Sequence, residues 1–155
     1  NPINISNEQK LELESRMLLV FIPKLRLSSN ISVENKLDNV NNIKRIEIIK
    51  NYVNEALVLI KKSDWDNVGK LIDQSWEQKR SLPNVTNSIV DKFYKETRRA
   101  GAIGSKLLGA GSGGFMLTWC KEGERNKIKE KLKERKIVSI NFKIDNDGST
   151  FIYRA

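Results

Sequence analysis

The sequence predicts an α+β fold, an antiparallel sheet with helices packed on one face in a ferredoxin-like topology. Three observations carry this prediction. A glycine-rich stretch between two short apolar runs predicts a β-hairpin near residues 103–120. Three earlier segments repeat their apolar residues at helical spacing, and an alternating segment near the end predicts a second hairpin. Strands and helices that are segregated along the chain in this way are typical of α+β proteins.

The first strands are predicted over residues 2–5 and over the apolar run 17–22, which ends at Pro23 because proline cannot donate to a strand ladder. Residues 11–16 are mixed in polarity and predict only a lead-in to the second of these strands. The loop after Pro23 carries cations and hydroxyls, which at a strand end can bind a phosphate or a sugar oxygen. A plain polar turn before a helix N-cap is the more ordinary interpretation of these residues, which are Lys24, Arg26, Ser28 and Ser29.

Helices follow over most of the next seventy residues. One begins near Ser32, and a run of apolar residues at helical spacing covers 43–61. Ser63 and Asp64 cap the next helix, whose apolar stripe ends at Trp76. The third helix begins at Thr86 or Asn87 and stops at Gly101, the usual residue past a helix C-terminus.

Lys79 and Arg80 lie one turn beyond Trp76, near the end of the second of these helices. Adjacent cations at that position complement the helix dipole without any further role. They can also pair with a phosphate group, and Arg80 is the preferred candidate because its planar guanidinium suits bidentate contacts.

The glycine-rich stretch concentrates six of the nine glycines between Gly101 and Gly114. A two-residue turn needs one or two glycines. The four glycines within residues 109–114 therefore indicate bare backbone that another group approaches closely. Loops of this kind often bind anions through their main-chain N–H groups. A hairpin without any ligand is the simpler alternative.

Two familiar phosphate loops do not fit this stretch. Gly109, Gly111 and Gly114 have the spacing of the dinucleotide fingerprint, but that fingerprint must open a helix, and a strand pattern follows here. The P-loop needs serine or threonine directly after its lysine, whereas Lys106 is followed by Leu107. The unit is predicted to be strand, glycine loop and strand.

The last quarter predicts an amphipathic helix over 121–136 and a hairpin. The helix buries Ile128 and Leu132 and carries eight basic and four acidic residues. Residues 137–144 alternate as a strand, 145–148 have a strong turn pattern, and 150–154 form the returning strand.

Composition places the 155 residues in one domain and excludes several chemistries. There is no histidine, so Ser–His and Cys–His nucleophilic machinery is excluded. The single cysteine, Cys120, excludes an internal disulfide and lies in an apolar strand, where a buried inert thiol is expected. We identify no catalytic residue and no metal ligand set. The net charge of +9 favours anionic partners.

The segment 106–115, Lys-Leu-Leu-Gly-Ala-Gly-Ser-Gly-Gly-Phe, resembles the third motif of the GHMP kinases. It is most similar to the branch that acts on D-glycero-D-manno-heptose 7-phosphate. Segments 76–82 and 25–31 resemble two further parts of that branch, in the same order. Ser112 departs from the motif, which usually has glycine there, and should be tolerated unless a positive φ is needed.

The resemblance implies the C-terminal domain of a kinase that moves the γ-phosphoryl of ATP, with Mg2+, to a sugar hydroxyl in the cytoplasm. The family's ATP phosphate loop is not in this sequence, so we expect an N-terminal half that binds ATP and Mg2+ and packs on the glycine loop. The fragment alone is expected to be inactive. The implied glycine motif is Lys106, Gly109, Ala110, Gly111, Ser112, Gly113 and Gly114, and the implied substrate-binding candidates are Arg26, Ser28, Ser29, Lys79 and Arg80.

The alternative function is a basic, ferredoxin-like module that binds nucleic acid. Such modules place aromatic side chains on the open face of the sheet to stack bases. Here Phe115, Phe142 and Phe151 stand among apolar residues and are predicted to be core. A regulatory domain that binds a small molecule is a third and weaker possibility.

Overall fold

A computed structural model describes residues 3–23 and 40–145 of the chain. The order of elements is α1 (Asn7–Ser15), β1 (Met17–Ile22), α2 (Val40–Lys61), α3 (Trp65–Arg80), α4 (Ser88–Ala100), β2 (Gly104–Leu107), β3 (Gly114–Trp119), α5 (Arg125–Glu134) and β4 (Ser139–Ile140). Four antiparallel strands lie in the order β2-β3-β1-β4. The predicted α+β fold is confirmed, and β1 lies between β3 and β4 as in a ferredoxin-like sheet.

The core lies between the sheet and the helices. Alternate residues of β1 point to one face of the sheet, where Leu18, Val20 and Ile22 are fully buried. Side chains of α3, α4 and α5 cover that face, including Trp76, Val90, Tyr94, Ile128 and Leu132. A second cluster on the opposite face contains Met17, Trp65, Val68 and Trp119.

The predicted helix boundaries follow their caps. Asp64 accepts a hydrogen bond from the Asn67 N–H at the start of α3. Asn87 accepts from the N–H groups of Ile89 and Val90 at the start of α4. Gly101 ends α4 in the left-handed conformation, with φ of 114°. Cys120 is a free and fully buried thiol, and burial raises its pKa to about 12, so it is protonated at neutral pH.

Two predictions for the N-terminal residues are wrong. Residues 3–5 form no strand, and the lead-in before β1 is the helix α1. The Ser6 hydroxyl accepts from the Gln9 N–H, and the Gln9 side chain accepts from the Ser6 N–H. This capping box starts a helix even though α1 buries none of its residues.

The strand predicted over 137–144 is also shorter than expected. Only Ser139–Ile140 form the strand β4 beside β1, and Phe142 and Ile144 pack against the second cluster without joining the ladder. The helix start at 32–35, the returning strand 150–154 and most of the turn 145–148 lie outside the described residues.

The helix α3 packs against β2 and β3 with no room for a side chain at two glycines. A Cβ added at Gly104 would lie 2.1 Å from the Gly69 carbonyl oxygen, and one added at Gly69 would lie 2.4 Å from the Trp119 ring. Both glycines are therefore needed for steric reasons.

We expect Gly104→Ala to lower the free energy of unfolding by about 3 kcal/mol or more, because helix backbone cannot move aside for the new methyl group. Gly123→Ala is the matched control. Its added Cβ meets open space at a φ of 71°, so only a backbone penalty of about 1 kcal/mol remains. Urea denaturation measures both, and equal losses would contradict the steric explanation.

Candidate functional site

The glycine loop, residues 108–114, runs from the end of β2 to the first residue of β3 and has a backbone that few residues other than glycine adopt. Its φ angle is positive at Gly109, Gly111, Ser112, Gly113 and Gly114. An added Cβ would meet nothing within 4 Å at Gly109 or Gly114, so open space lies beside the backbone there. Two stretches of the loop are therefore open to a neighbouring group.

Between these open positions, the glycine loop rests on the main chain that leads into α4. A Cβ at Gly111 would lie 2.7 Å from the Val85 carbonyl oxygen. That same oxygen accepts a hydrogen bond of 3.0 Å from the Ser112 N–H. The Asn87 side-chain amide donates to the Ser112 carbonyl oxygen at 3.1 Å, so one side chain both caps α4 and holds the loop.

Ser112 stands where the motif usually has glycine, and its φ of 64° shows that this position is left-handed. Such a conformation costs a residue with a Cβ about 1 kcal/mol. The Ser112 hydroxyl donates to the Asn84 carbonyl oxygen at 3.1 Å, a bond that glycine cannot make. The serine is thus held in the strained conformation by contacts on its side chain and on both of its backbone groups.

Lys79 reaches the glycine loop from the last turn of α3. Its ammonium donates to the Gly109 carbonyl oxygen at 2.7 Å. Burial lowers the Lys79 pKa.

Lys106 lies in β2 and donates to the Ser75 hydroxyl at 2.7 Å. Both residues line a cavity of about 180 Å³ whose other walls are mostly apolar side chains of α2 and α3. Burial, and after it the positive charge of Lys79, lowers the Lys106 pKa. Ser75 and Lys79 are one turn apart on α3, so Lys106 and the glycine loop meet the same face of this helix.

Arg80, the cation that the sequence favoured, points to carboxylates of its own chain. Its guanidinium donates to Glu77 at 3.1 Å and to Asp91 at 2.7 Å, and it lies 5.2 Å from the centre of the Tyr94 ring. Its role in binding substrate stays a prediction. Arg26, Ser28 and Ser29, the other predicted substrate residues, lie outside the described residues.

Sequence reasoning did not identify Val85, Asn87 or Ser75 as parts of this site. Asn87 was predicted only as a possible helix start, and no local pattern signals its second bond to the glycine loop. Val85 contacts the glycine loop through its main chain, so the residue type at position 85 does not predict the contact.

One aromatic prediction is wrong. Phe115 is 39% exposed, and its ring lies 5.6 Å from that of Phe21, which is 42% exposed. The pair stands on the sheet face opposite Leu18 and Val20. Phe142 does pack against a core cluster, and Phe151 lies outside the described residues.

Within residues 3–23 and 40–145, no group of three acidic or cysteine side chains could hold a metal ion. No helix in the same ranges has both the length and the apolar content of a membrane span.

We expect Gly111→Ala to lower the free energy of unfolding by about 2 kcal/mol or more, because the new methyl group overlaps the Val85 backbone. It should also speed the amide exchange of Ser112, whose N–H loses its acceptor. Gly109→Ala is the control, with positive φ but open space, at about 1 kcal/mol. Unchanged exchange at Ser112 in the Gly111 variant would contradict the docking of the loop.

Comparison with known proteins places this geometry in a family. The bifunctional fucokinase/GDP-fucose pyrophosphorylase of Arabidopsis thaliana is 33% identical over 142 residues, which cover 86% of this chain and 13% of that protein. The D-glycero-alpha-D-manno-heptose 7-phosphate kinase of Campylobacter jejuni is 28% identical over 153 residues, covering 96% of this chain and 44% of the kinase. The chain thus spans less than half the length of either relative.

Among solved structures, the mevalonate kinase of Methanococcus jannaschii has a similar fold, with a TM-score of 0.70 at 22% identity. The similarity covers 92% of this chain and 44% of that one. Residues 56–137, from within α2 to the end of the turn after α5, match the family described as GHMP kinases C terminal. The chain therefore belongs to the GHMP kinase family and contains its C-terminal domain.

Proposed function

We propose that this chain is the substrate-side part of an ATP-dependent kinase whose acceptor is a phosphorylated sugar, with a heptose phosphate as the first candidate. The observation that carries the proposal is the glycine loop, which is docked on residues 84–87 in its middle and open at Gly109 and Gly114. A loop held in this way offers fixed main-chain groups to a neighbouring phosphate or polypeptide.

The proposed reaction is a phosphoryl transfer. A sugar hydroxyl oxygen forms a bond to the γ-phosphorus of ATP, the bond from that phosphorus to the β,γ-bridging oxygen breaks, and ADP leaves. The hydroxyl proton passes to a base or to solvent. Such catalysis depends mainly on positioning and on stabilising negative charge. We propose that this chain positions the acceptor and that the base lies in the other half of the enzyme.

ATP and Mg2+ are proposed to be held mainly by an N-terminal half. Two carboxylates beside the end of α3, those of Glu77 and Asp91, both pair with Arg80. We therefore propose that the oxygen ligands that magnesium prefers come mainly from the N-terminal half. The chemistry that magnesium supplies is neutralisation of the ATP phosphates.

We propose that the same N-terminal half covers the open sheet face beside the glycine loop. Five apolar side chains there are at least 39% exposed, and the register places them across neighbouring strand ends: Phe21, Leu108, Phe115, Val138 and Ile140. An apolar patch of this kind is typical of a protein contact. The enzyme is proposed to work in the cytoplasm, since its buried Cys120 needs no oxidising compartment.

The choice of a heptose phosphate has support from the Campylobacter relative, which aligns with 96% of this chain. The Arabidopsis relative is described as a fucokinase, and several Thermotoga galactokinases align with about half of the chain. A hexose or a 6-deoxyhexose is therefore the competing acceptor.

The test is a kinase assay on the full-length protein with ATP and a panel of acceptors. We expect the highest kcat/KM for heptose 7-phosphate, with fucose, galactose and mevalonate as weaker acceptors. Gly111→Val should lower activity by about 100-fold or more, because it displaces the loop from residues 84–87. Gly123→Ala, which lies outside the loop, should retain activity. A full-length protein that phosphorylates none of these acceptors would overturn the proposal.

The nucleic-acid alternative keeps one favourable observation, the exposed pair Phe21 and Phe115 on an open sheet face. The exposed side chains around this pair are aliphatic, whereas base-stacking surfaces combine aromatic with cationic residues. Salt-dependent retention of RNA, together with an inactive full-length protein, would support this alternative instead.

A further inference from the structure

Arg80, which follows Lys79 at the end of α3, is already neutralised by carboxylates of its own chain. Its guanidinium pairs with Glu77 at 3.1 Å and with Asp91 at 2.7 Å. Side chains in this state have little capacity left for a ligand. Two lysines beside the glycine loop, one on α3 and one on β2, have a different environment.

Lys79 and Lys106 donate only to uncharged acceptors. Their partners are the Gly109 carbonyl oxygen and the Ser75 hydroxyl, and within residues 3–23 and 40–145 neither ammonium forms an ion pair. Each of these bonds uses one of the three donors of an ammonium group. Both lysines therefore keep hydrogen-bond donors for another partner.

Holding these two charges together is unfavourable in the absence of an anion. Both lysines are partly buried, and burial lowers the pKa of each. The charge of Lys79 lowers the Lys106 pKa further. A doubly charged anion between the two groups would remove the repulsion and replace the lost hydration.

The position of the pair also suits a phosphate. Lys79 is bonded to the first glycine of the loop, and Lys106 stands three residues before that glycine on the neighbouring strand. Beside them the backbone of Gly109 has no atom within 4 Å of where a Cβ would stand. An anion beside Gly109 would meet the Lys79 ammonium and bare main chain, one helical turn from the place where Lys106 contacts Ser75.

We propose that Lys79 and Lys106 together bind one phosphate group of a reactant, either the phosphomonoester of the sugar or the terminal phosphates of ATP. The proposal rests on the proposed kinase function. It also implies that Arg80 shapes the site by pairing with its own carboxylates and does not contact the ligand.

The experiment compares Lys79→Met, Lys106→Met and the control Lys70→Met in the full-length protein. Lys70 is an exposed lysine of α3 that donates to Asn67. Steady-state kinetics with sugar phosphate and ATP varied separately should show KM raised by about tenfold or more for the reactant whose phosphate is bound, in both variants. A change confined to the sugar phosphate identifies the phosphomonoester, and one confined to ATP identifies the nucleotide.

A structural role for the lysines makes a different prediction. If they only support the fold, both variants should unfold at lower temperature and the KM of each reactant should stay within twofold of wild type. We expect the reverse, since methionine suits the apolar surroundings of Lys106 and removes the repulsion. Unchanged KM values for both reactants in folded, active variants would overturn the proposal.

A binding measurement separates this inference from the proposed reaction. Inorganic phosphate should raise the unfolding temperature of the wild type and of Lys70→Met, and should raise it much less in the other two variants. This result would support the site even in a full-length protein that phosphorylates no acceptor. Equal stabilisation of all four proteins would overturn the site, whatever the kinase assay shows.

Discussion

The close contact between α3 and β2 is the constraint on which the site depends. Gly69 faces Gly104 without room for a methyl group between them, and ten residues later Lys79 reaches Gly109. Ten helical residues rise about 15 Å, and the five strand residues from Gly104 to Gly109 rise about 17 Å. The helix and the strand therefore advance together, and Asp73 meets the Ser105 N–H and Ser75 meets Lys106 on the way. The loop contact by Lys79 follows from the packing several turns earlier.

The same alignment separates two kinds of charge. Asp73 accepts from the Tyr94 hydroxyl and the Ser105 N–H and lies near Arg98, so its charge is used within the fold. Arg80 is likewise engaged by Glu77 and Asp91. Lys79 and Lys106 contact only neutral oxygens, so their charges are not used within the fold. The net charge of +9 therefore does not tell which cations are available to a ligand. The side chain or main-chain group that contacts each cation does.

Much of the fold could be predicted because its signals are local. Helical spacing, the cap at Asp64 and the stop at Gly101 each depend on neighbouring residues only. The helix α1 was missed because it lacks a buried stripe, although its Ser6–Gln9 capping box was readable. The exposure of Phe115 was not predictable in the same way, since alternation along a strand does not tell which face the helices cover.

The candidate site could be predicted from the sequence only in part, for a related reason. The glycine spacing indicated close approach, but the neighbour at Gly111 is the main chain of Val85, which any residue type could supply. The choice between Arg80 and Lys79 depends on Asp91, a residue of the following helix. The spacing of the cations along the chain does not predict which of them pairs with a carboxylate from another helix.

Asn87 accepts from the first N–H groups of α4 with its side-chain oxygen and donates to Ser112 with its side-chain nitrogen. Aspartate, serine and threonine are ordinary substitutes at a helix start, but an aspartate cannot donate, and a hydroxyl has a single proton and a shorter reach. We therefore expect fewer residue types to replace Asn87 than to replace an ordinary helix N-cap. A substitution of Asn87 would therefore disturb both the start of α4 and a loop that lies 25 residues further along the chain.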